Sequence, residues 1–326
     1  YRLAPLFHLT VEAHIFSTKP VASSLLEQAN SSHSHRFCST QSVSLLESSG
    51  HFIWQCIKGQ GLAQIRFGII GCGRFMGNSH IPRLLASKET EIVGLADPTL
   101  ESIDQRRADH PSLNSIPDYR NHREMLEKTK PDAVAIASPH TLHMEHAMDS
   151  FAADCHILLE KPMVTSVREA RKLLAKRDEL GKLLIVSYQR HYLPAYRYVA
   201  EAIGQGEIGD VEYVAGLQSQ SWVQQTAGSW RQDPRFSGGG QLIDSGSHLI
   251  DIIMYAVNEE VAGVLAYQTN LGTPVNVNSA ISIRFQNGAL GTISVVGHGP
   301  DGMAEDISFY GSKGTILLRT PTFKAG

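Results

Sequence analysis

Residues 65–97 constrain the fold of this chain more than any other segment. Residues 65–70 are an apolar, β-branched run, which predicts a buried parallel strand. The run leads into Gly71-Cys72-Gly73, a helical stretch follows, and a second predicted strand at residues 91–96 ends at Asp97. Strand, glycine turn, helix, strand and acid in this order are typical of a dinucleotide-binding unit.

Each part of this unit has a physical task. Gly71 permits a tight turn, and Gly73 lets the backbone approach a pyrophosphate. The helix that follows presents free N–H groups and the positive end of its dipole to that phosphate. We expect Asp97 to accept hydrogen bonds from the adenosine ribose and to repel a 2′-phosphate, which favours NAD over NADP without excluding NADP. The alternative is that Asp97 merely caps the next helix.

The glycine pattern departs from the usual fingerprint at its third position. Met76 stands where a third glycine normally allows close packing of helix against strand, and Gly77 comes one residue late. The sequence therefore predicts a shifted first helix or an altered loop.

Alternating helices and strands continue as far as residue 188. Strands are predicted at residues 132–137, 156–159 and 183–188, with helices at residues 120–128 and 167–180. This alternation specifies a parallel, doubly wound sheet covered on both faces, with ligands bound beyond the carboxyl ends of the strands. The polar residues and prolines at these ends are Asp97, Ser138, Pro139, Glu160, Lys161 and Tyr188.

The remainder of the chain, residues 189–326, has the pattern of a second α/β domain with a largely antiparallel open sheet. Turn residues 286–288 and 311–314 separate predicted hairpin partners. Because the sequence stops soon after a strand-like run at residues 314–318, we expect this domain to be incomplete and the chain to be truncated at its C-terminus. The predicted strands are residues 211–217, 264–269, 279–285, 289–296, 306–310 and 314–318.

Residues 1–64 differ from everything that follows. They carry seven charged residues, eleven serines and five histidines, whereas the next 262 residues carry 54 charges. Low acidity and high serine content are loosely typical of a transit peptide, but arginine is scarce. Without a steady period of 2 or 3.6, the segment is predicted to be a disordered or non-native leader.

Composition excludes several classes of protein. The formal net charge of −3 gives no sign of a nucleic-acid or acidic-membrane surface. No apolar run approaches the roughly 20 residues that span a bilayer. The four cysteines form no CxxC pair and are too few for a disulfide framework, which predicts a reducing, cytoplasmic setting.

A second set of polar residues carries candidate chemistry. Asp244 and His248 are four residues apart, so both lie on one face if residues 241–255 are helical. Histidine suits a general base near neutral pH, and a neighbouring carboxylate would fix its tautomer. Lys161, at a strand end, would polarise a reacting oxygen. Taken singly, each of these residues is more often a surface charge or a cap.

In combination, these motifs resemble the Gfo/Idh/MocA oxidoreductases, which include glucose–fructose oxidoreductase and inositol dehydrogenase. The resemblance extends over residues 65–319. The residues that carry it are those of 65–97, Ser138, Pro139, His143, Glu160, Lys161, Pro162, Gly238, Gly239, Gly240, Asp244, His248 and Asp251.

The resemblance implies a Rossmann domain at residues 65–188 and a substrate-binding and oligomerisation domain at residues 189–326, with a homodimer or homotetramer formed through the second sheet. It implies that Lys161, Asp244 and His248 act as one proton-handling network. The cofactor contacts that it implies are Gly71, Gly73, Phe75, Met76, Asp97, Ser138, Pro139, His143, Glu160 and Lys161.

Substrate contacts are expected from Tyr188, Arg190, Trp230 and Arg231, together with the three catalytic candidates. Family members often carry two successive arginines after the last Rossmann strand, and here His191 replaces the second. Trp230 offers a stacking face for a sugar ring and Arg231 a bidentate donor. Alternatively, Trp230 belongs to the core and Arg231 is a rim charge.

The leading hypothesis is an NAD(P)-dependent dehydrogenase that oxidises a secondary alcohol of a sugar, inositol or related polyol. The alternatives are an NAD-dependent glycosidase of the same superfamily and a non-catalytic sensor of NAD(P) or sugar. No metal is expected, because the Asp244–His248 pair lacks a third ligand at a convincing spacing. His140 and His146 match no family position, and His146 is predicted to be an exposed or hydrogen-bonded helix residue.

Overall fold

The computed structural model describes residues 64–299 and 303–319. The predicted leader therefore lies outside the described residues except for Gln64, and so do Cys38 and Cys56. Cys72 and Cys155 are buried free thiols.

The first sheet places a topological switch point beside the glycine loop. Its six strands are all parallel and follow the order β3-β2-β1-β4-β5-β6. Because β1 lies between β2 and β4, the winding of the chain reverses there, and ligands bind at such crevices. The strands are β1 (Ile65–Ile70), β2 (Thr90–Ala96), β3 (Asp118–Tyr119), β4 (Ala133–Ile136), β5 (His156–Leu159) and β6 (Leu184–Val186).

Helices cover both faces of this sheet. Along β1, Phe67 and Ile69 enter one apolar core while Ile70 enters the other. Local signals fix the longest helix: Ser166 caps its first turn by accepting a hydrogen bond from Glu169 N, and Gly181 ends it at a φ of +61°. The helices are α1 (Ile81–Ala86), α2 (Leu100–Asp109), α3 (His122–Thr129), α4 (His143–Ala152) and α5 (Val167–Leu180).

The displaced third glycine corresponds to an altered first turn. Met76–His80 form a single π-turn that leads directly into α1. A π-turn contains one residue more than an α-helical turn, so it accommodates the late glycine. Gly77 then faces Arg106 of α2, and a Cβ there would collide with the Arg106 guanidinium. The late glycine thus serves close packing between two helices.

The second sheet is mixed and has the order β12-β11-β7-β10-β9-β8. Only β7 and β10 run parallel, and every other pair is antiparallel. The predicted succession of a doubly wound parallel sheet and a largely antiparallel sheet is therefore confirmed. The strands are β7 (Val211–Ser219), β8 (Val261–Thr269), β9 (Asn278–Phe285), β10 (Leu290–Val296), β11 (Ala304–Gly311) and β12 (Thr315–Arg319).

One face of the second sheet packs against two helices. Val214, Ile293 and Phe309 are buried there against Leu249 and Ile253. The long connection after β7 holds short helical turns before a π-turn (Leu242–Gly246) that runs straight into the last helix. The helices of this domain are α6 (Pro194–Gly204), α7 (Trp222–Gln225), α8 (Pro234–Ser237) and α9 (Ser247–Val257).

In the part of the chain that the structure describes, no helix combines the length and apolar character needed to cross a membrane.

Candidate active site

The glycine loop presents its backbone at the carboxyl edge of the first sheet. Gly71 has a φ of +87°, and a Cβ there would lie 2.8 Å from both Ala137 C and Ser138 N. Gly73 is exposed, and no described atom lies within 4 Å of the position of its missing Cβ. The loop therefore passes tightly beside β4 at one glycine and leaves open space at the next, as a pyrophosphate cradle requires.

Asp97 is held at the end of β2 by two backbone donors. Its Oδ2 accepts a hydrogen bond from Cys72 N at 2.8 Å, and its Oδ1 accepts one from Thr99 N at 2.8 Å. The carboxylate thus ties the glycine loop to the start of α2. Both expectations for Asp97 are compatible with this geometry, because a carboxylate oxygen that accepts one bond retains a second lone pair. Glycine loop, open space and fixed acid together fit an NAD-type cofactor.

Two residues expected to contact the cofactor have completely buried side chains. Met76 lies in the apolar core beneath the sheet. The His143 ring lies between two loops, with Nδ1 2.8 Å from Pro162 O and Nε2 3.0 Å from Ser138 O. The Met76 and His143 side chains are therefore enclosed by the protein, and both support the loops that face the site. Phe75, by contrast, is 38% exposed.

Glu160 is paired within the protein. Its Oε1 lies 2.7 Å from His80 Nε2, and its Oε2 accepts a hydrogen bond from Lys161 N at 3.3 Å. His80 ends the π-turn that follows the glycine loop. This pair connects the cofactor loop to the loop bearing Lys161. Sequence reasoning missed His80, since no local pattern relates it to an acid 80 positions away.

Lys161 and Asp244 meet across the two domains. The Lys161 Nζ lies 2.8 Å from Asp244 O and 3.1 Å from Asp244 Oδ1. The two side chains are only 12% and 8% exposed. The predicted proximity of the lysine and the aspartate is thus present in the structure, with the lysine supplied by the loop after β5 and the aspartate by the π-turn before α9.

Asp244 is the centre of a charged cluster. Its Oδ2 accepts hydrogen bonds from Trp222 Nε1 at 2.8 Å and Arg231 Nε at 3.1 Å, while His140 Nε2 lies 3.7 Å from Oδ1. Burial opposes ionisation, but Lys161, Arg231 and His140 outweigh it and hold the pKa of the Asp244 carboxyl below its usual range. Asp244 is therefore an anchoring anion rather than a proton acceptor.

His248 lies beside this cluster without joining it. Its ring meets the Tyr188 ring edge-on at a centroid distance of 5.8 Å, and among the described residues its buried Nδ1 has no hydrogen-bond partner. Burial, followed by the charges of Lys161 and Arg190, lowers the pKa of His248 to about 2. The imidazole is therefore neutral at ordinary pH, and its burial opposes protonation.

The expectation that Asp244 fixes the His248 tautomer is wrong. No hydrogen bond joins the two side chains within the described residues. The Asp244 oxygens accept hydrogen bonds from Lys161, Arg231 and Trp222 instead. The i, i+4 spacing placed the residues close together but did not specify which neighbours would compete for the carboxylate.

Arg190, expected to contact substrate, is engaged by the second sheet. It is 8% exposed, and its Nη1 lies 2.6 Å from Glu305 Oε2 on β11. Glu305 also accepts hydrogen bonds from Tyr196 Oη at 2.8 Å and Gln218 Nε2 at 2.9 Å. The Arg190 charge is thus neutralised internally. The Nε2 of the next residue, His191, lies 2.7 Å from Asp251 Oδ2.

Trp230 and Arg231 pack against each other. The Arg231 guanidinium carbon lies 4.5 Å from the centroid of the Trp230 ring, and the His140 ring meets that indole edge-on at 4.7 Å. Since Arg231 Nε donates to Asp244, only the two terminal nitrogens of its guanidinium remain for a substrate. His140 was not predicted, although it is 3% exposed and lies within this cluster.

A separate group of titratable residues lies on the helices behind β4. Ligand atoms of His122, Glu145 and Asp149 lie within 4.8 Å of one another. Arg123 Nη2 already bridges the two carboxylates at 2.7 and 2.8 Å. His146 Nδ1 lies 2.9 Å from Ser138 Oγ, as expected of a hydrogen-bonded helix residue.

Comparison with protein families identifies both domains. The model described as "Oxidoreductase family, NAD-binding Rossmann fold" of the Gfo/Idh/MocA group matches residues 65–188, and the model of the Gfo/Idh/MocA C-terminal domain matches residues 196–317. The resemblance inferred from the motifs is confirmed, as is the NAD-binding class of the first domain.

Individual relatives are distant. D-glucoside 3-dehydrogenase of Escherichia coli is 26% identical over 59% of this chain and 54% of that protein. Myo-inositol 2-dehydrogenase of Thermotoga maritima is 25% identical over 78% of this chain and 75% of that protein. The alignment thus spans about half of the first relative.

A solved structure shares the fold. The WlbA dehydrogenase of Bordetella pertussis, crystallised with NADH and UDP-GlcNAcA, is 27% identical and superposes with a TM-score of 0.72. The superposition covers 79% of this chain and 74% of that protein.

Proposed function

Because the chain belongs to the Gfo/Idh/MocA oxidoreductase family, we propose that it transfers a hydride between NAD and a secondary alcohol of a sugar, an inositol or a related polyol. The observation that carries this proposal is the contact of 3.1 Å between Lys161 Nζ and Asp244 Oδ1, placed at the carboxyl edge of an NAD-binding Rossmann sheet. The relatives support the substrate class, since their names specify a glucoside, myo-inositol and a nucleotide sugar.

A bound nicotinamide supplies the hydride acceptor, and the chain supplies proton handling and orientation. Two of the three ammonium protons of Lys161 point to Asp244 O and Oδ1, which leaves the third for the substrate oxygen. A positive charge at that oxygen stabilises the negative charge that develops as its proton leaves. His248, whose buried Nδ1 has no hydrogen-bond partner among the described residues, is the proposed acceptor of that proton.

The remaining residues of the cluster set the position of Lys161. Asp244 is fixed by Trp222 and Arg231, so the ammonium that it binds has little freedom to move. His80 holds Glu160, the residue before Lys161, from the cofactor side. Preorganisation of this kind keeps a charged group in its reactive geometry before the substrate arrives.

NAD is the proposed cofactor form, with NADP the alternative. Asp97 lies at the end of β2, where the adenosine ribose is bound in this fold. Its negative charge disfavours a 2′-phosphate at the same place.

The uncovered face of the second sheet is the proposed contact between copies of this chain. It exposes Leu217 (41%), Leu290 (49%) and Tyr310 (43%) on three neighbouring strands. Exposed apolar residues grouped on one face are typical of an interface, and two copies that pair this face form a two-fold dimer. Light scattering on the purified protein tests this proposal, and a monomer at every concentration contradicts it.

Lys161→Ala is the decisive test of the proposed reaction. We expect turnover with a panel of sugars and polyols to fall at least 10²-fold, because the group that stabilises the developing charge is lost. NAD binding, followed by fluorescence titration, should remain measurable. Lys176→Ala, on the outer surface of α5, is the matched control and should keep full activity.

Unchanged turnover in Lys161→Ala rules out the proposed role of the lysine. Release of a chromogenic aglycone without net NADH formation by the unaltered protein would instead support the NAD-dependent glycosidase. Binding of NAD with no turnover of any sugar or polyol would support the sensor.

A further inference from the structure

The hydrogen bonding of His140 determines which of its ring nitrogens carries the proton. Its Nδ1 lies 3.0 Å from the backbone carbonyl oxygen of Ser237. Because a carbonyl oxygen only accepts hydrogen bonds, Nδ1 is the protonated nitrogen. Burial lowers the pKa of His140 to about 3, so the ring is neutral at neutral pH. The Nε2 atom of this neutral ring therefore presents a lone pair.

In the described part of the chain, no donor forms a hydrogen bond to that lone pair. The charged group that faces it is the Asp244 carboxylate, whose Oδ1 lies 3.7 Å from Nε2 and is itself an acceptor. Two acceptors that face each other repel unless a hydrogen atom lies between them. A hydroxyl group of a bound molecule supplies such a hydrogen atom.

The same carboxylate oxygen connects His140 to the proposed reaction centre. Asp244 Oδ1 also lies 3.1 Å from Lys161 Nζ. The His140 lone pair and the Lys161 ammonium thus flank one atom, the first as an acceptor and the second as a donor. A molecule with hydroxyls on two adjacent carbons can accept from Lys161 with one oxygen and donate to His140 with the other, at the usual distance of about 2.8 Å.

The His140 ring is held in a fixed orientation before any substrate binds. Its side chain is 4% exposed, and the rings of Trp230 and His143 meet it edge-on at centroid distances of 4.7 and 5.8 Å. Together with the bond to Ser237, these contacts keep the direction of Nε2 constant. A buried acceptor left unpaired by a ligand costs free energy, so such a site rejects analogues that lack the matching hydroxyl.

We propose that His140 Nε2 accepts a hydrogen bond from the hydroxyl next to the carbon that is oxidised, so that the protein selects vicinal diols over isolated secondary alcohols. The inference rests on the proposed function, because it places the reacting oxygen at Lys161 Nζ. It makes His140, in the loop between β4 and α4, a specificity-determining residue supplied by the first domain.

Monodeoxy sugars test this role, with D-glucose and its 2-deoxy, 3-deoxy and 4-deoxy derivatives as probes and NAD as the cofactor. The oxidised carbon is identified by NMR of the product. In the unaltered protein, loss of a hydroxyl next to that carbon should lower kcat/KM at least roughly tenfold. In His140→Leu, which has no acceptor, the kcat/KM values of glucose and this deoxy sugar should agree within about threefold.

Two further variants separate a lost hydrogen bond from a disturbed loop. His140→Gln retains a side-chain acceptor and should keep more of the discrimination against the deoxy sugar than His140→Leu does. His298→Leu makes the same replacement at an exposed histidine and should keep all of it.

Calorimetric binding of the same sugars in the presence of NADH is measured separately. If no sugar is oxidised, but glucose binds more tightly than one deoxy derivative and His140→Leu abolishes the difference, the contact stands and the proposed reaction fails. If glucose is oxidised but the deoxy sugars react equally well, or if His140→Leu keeps the ratio of the unaltered protein, the role of His140 is refuted while the reaction stands. If glucose neither binds nor reacts, both proposals fail.

Discussion

The cofactor edge, which comprises Gly71, Gly73 and Asp97 at the carboxyl ends of the first sheet, and the charged cluster around Asp244 are formed by different kinds of group. At the cofactor edge the backbone determines the geometry. Gly71 allows a close approach to the neighbouring backbone, Gly73 leaves open space for the cofactor, and Asp97 accepts hydrogen bonds from two backbone N–H groups. In the cluster, by contrast, side chains from separate segments converge on one carboxylate. The first region therefore depends on conformation and open space, whereas the second depends on charge balance.

The largest effect should come from removing the charge of Asp244. Asp244→Asn leaves Lys161 and Arg231 close together and partly buried without their counter-ion, and breaking such a pair costs about 3–5 kcal/mol of folding stability. We also expect kcat to fall roughly 10²- to 10⁴-fold, because the ammonium loses its position. Urea unfolding and steady-state kinetics measure the two effects.

Asp178→Asn is the control for this substitution. Its carboxylate is 65% exposed and pairs with Arg177 at the surface, so the change should be small. If Asp244→Asn is as stable and active as this control, the cluster is not governed by charge balance.

An intermediate effect on stability is expected from the glycine loop. Two alanine substitutions there distinguish the need for a positive φ from the need for open space. Gly71→Ala forces a side chain into a positive φ against the backbone of Ala137 and Ser138, which should cost about 1–3 kcal/mol of stability. Gly73→Ala meets no described atom within 4 Å, so stability should hold while NAD affinity falls. Thermal unfolding and fluorescence titration with NAD distinguish them, and equal NAD affinity in Gly73→Ala and the unaltered protein contradicts the proposed cradle.

At mildly acidic pH, the smallest effect is the contribution of a single buried histidine to acid sensitivity. Burial lowers the pKa of His140 to about 3, so this ring stays neutral in the folded protein while the unfolded chain binds a proton below about pH 6.5. Stability therefore falls as the pH drops from about 6.5 towards 3, with a slope of up to about 1.4 kcal/mol per pH unit from this residue. His140→Asn should flatten the curve of unfolding free energy against pH by about that amount.

His298→Asn provides the matched control for the acid experiment, because His298 is exposed. Its pH curve should follow that of the unaltered protein. A slope that does not change in His140→Asn would mean that His140 is protonated in the folded state.

The contrast between the two regions also explains which features could be predicted from the sequence. Some features depend only on residues that are contiguous in the sequence. These are the glycine loop, Asp97 and the helix Val167–Leu180, and in the structure they lie at the positions that the sequence patterns predict. The two-residue strand Asp118–Tyr119 was missed because it is too short to show a period.

Pairings between residues that are distant in the sequence could not be predicted from local sequence patterns. His80 with Glu160 and Arg190 with Glu305 join residues on different elements, and only the folded chain brings them together. The partner of a buried charge is likewise decided by competition: Asp244 had His248 nearby in sequence, but Lys161, Arg231 and Trp222 take its oxygens.

The bridge between Lys161 and Asp244 has a consequence for the order of events during turnover. One end of the bridge belongs to the loop that is proposed to face the coenzyme, and the other lies in the π-turn just before the helix that backs the second sheet. A ligand that immobilises one end of the bridge also immobilises the other. The coenzyme and the alcohol should therefore each raise the affinity for the other by the same factor. The affinity for the alcohol would then report on whether the coenzyme is already in place.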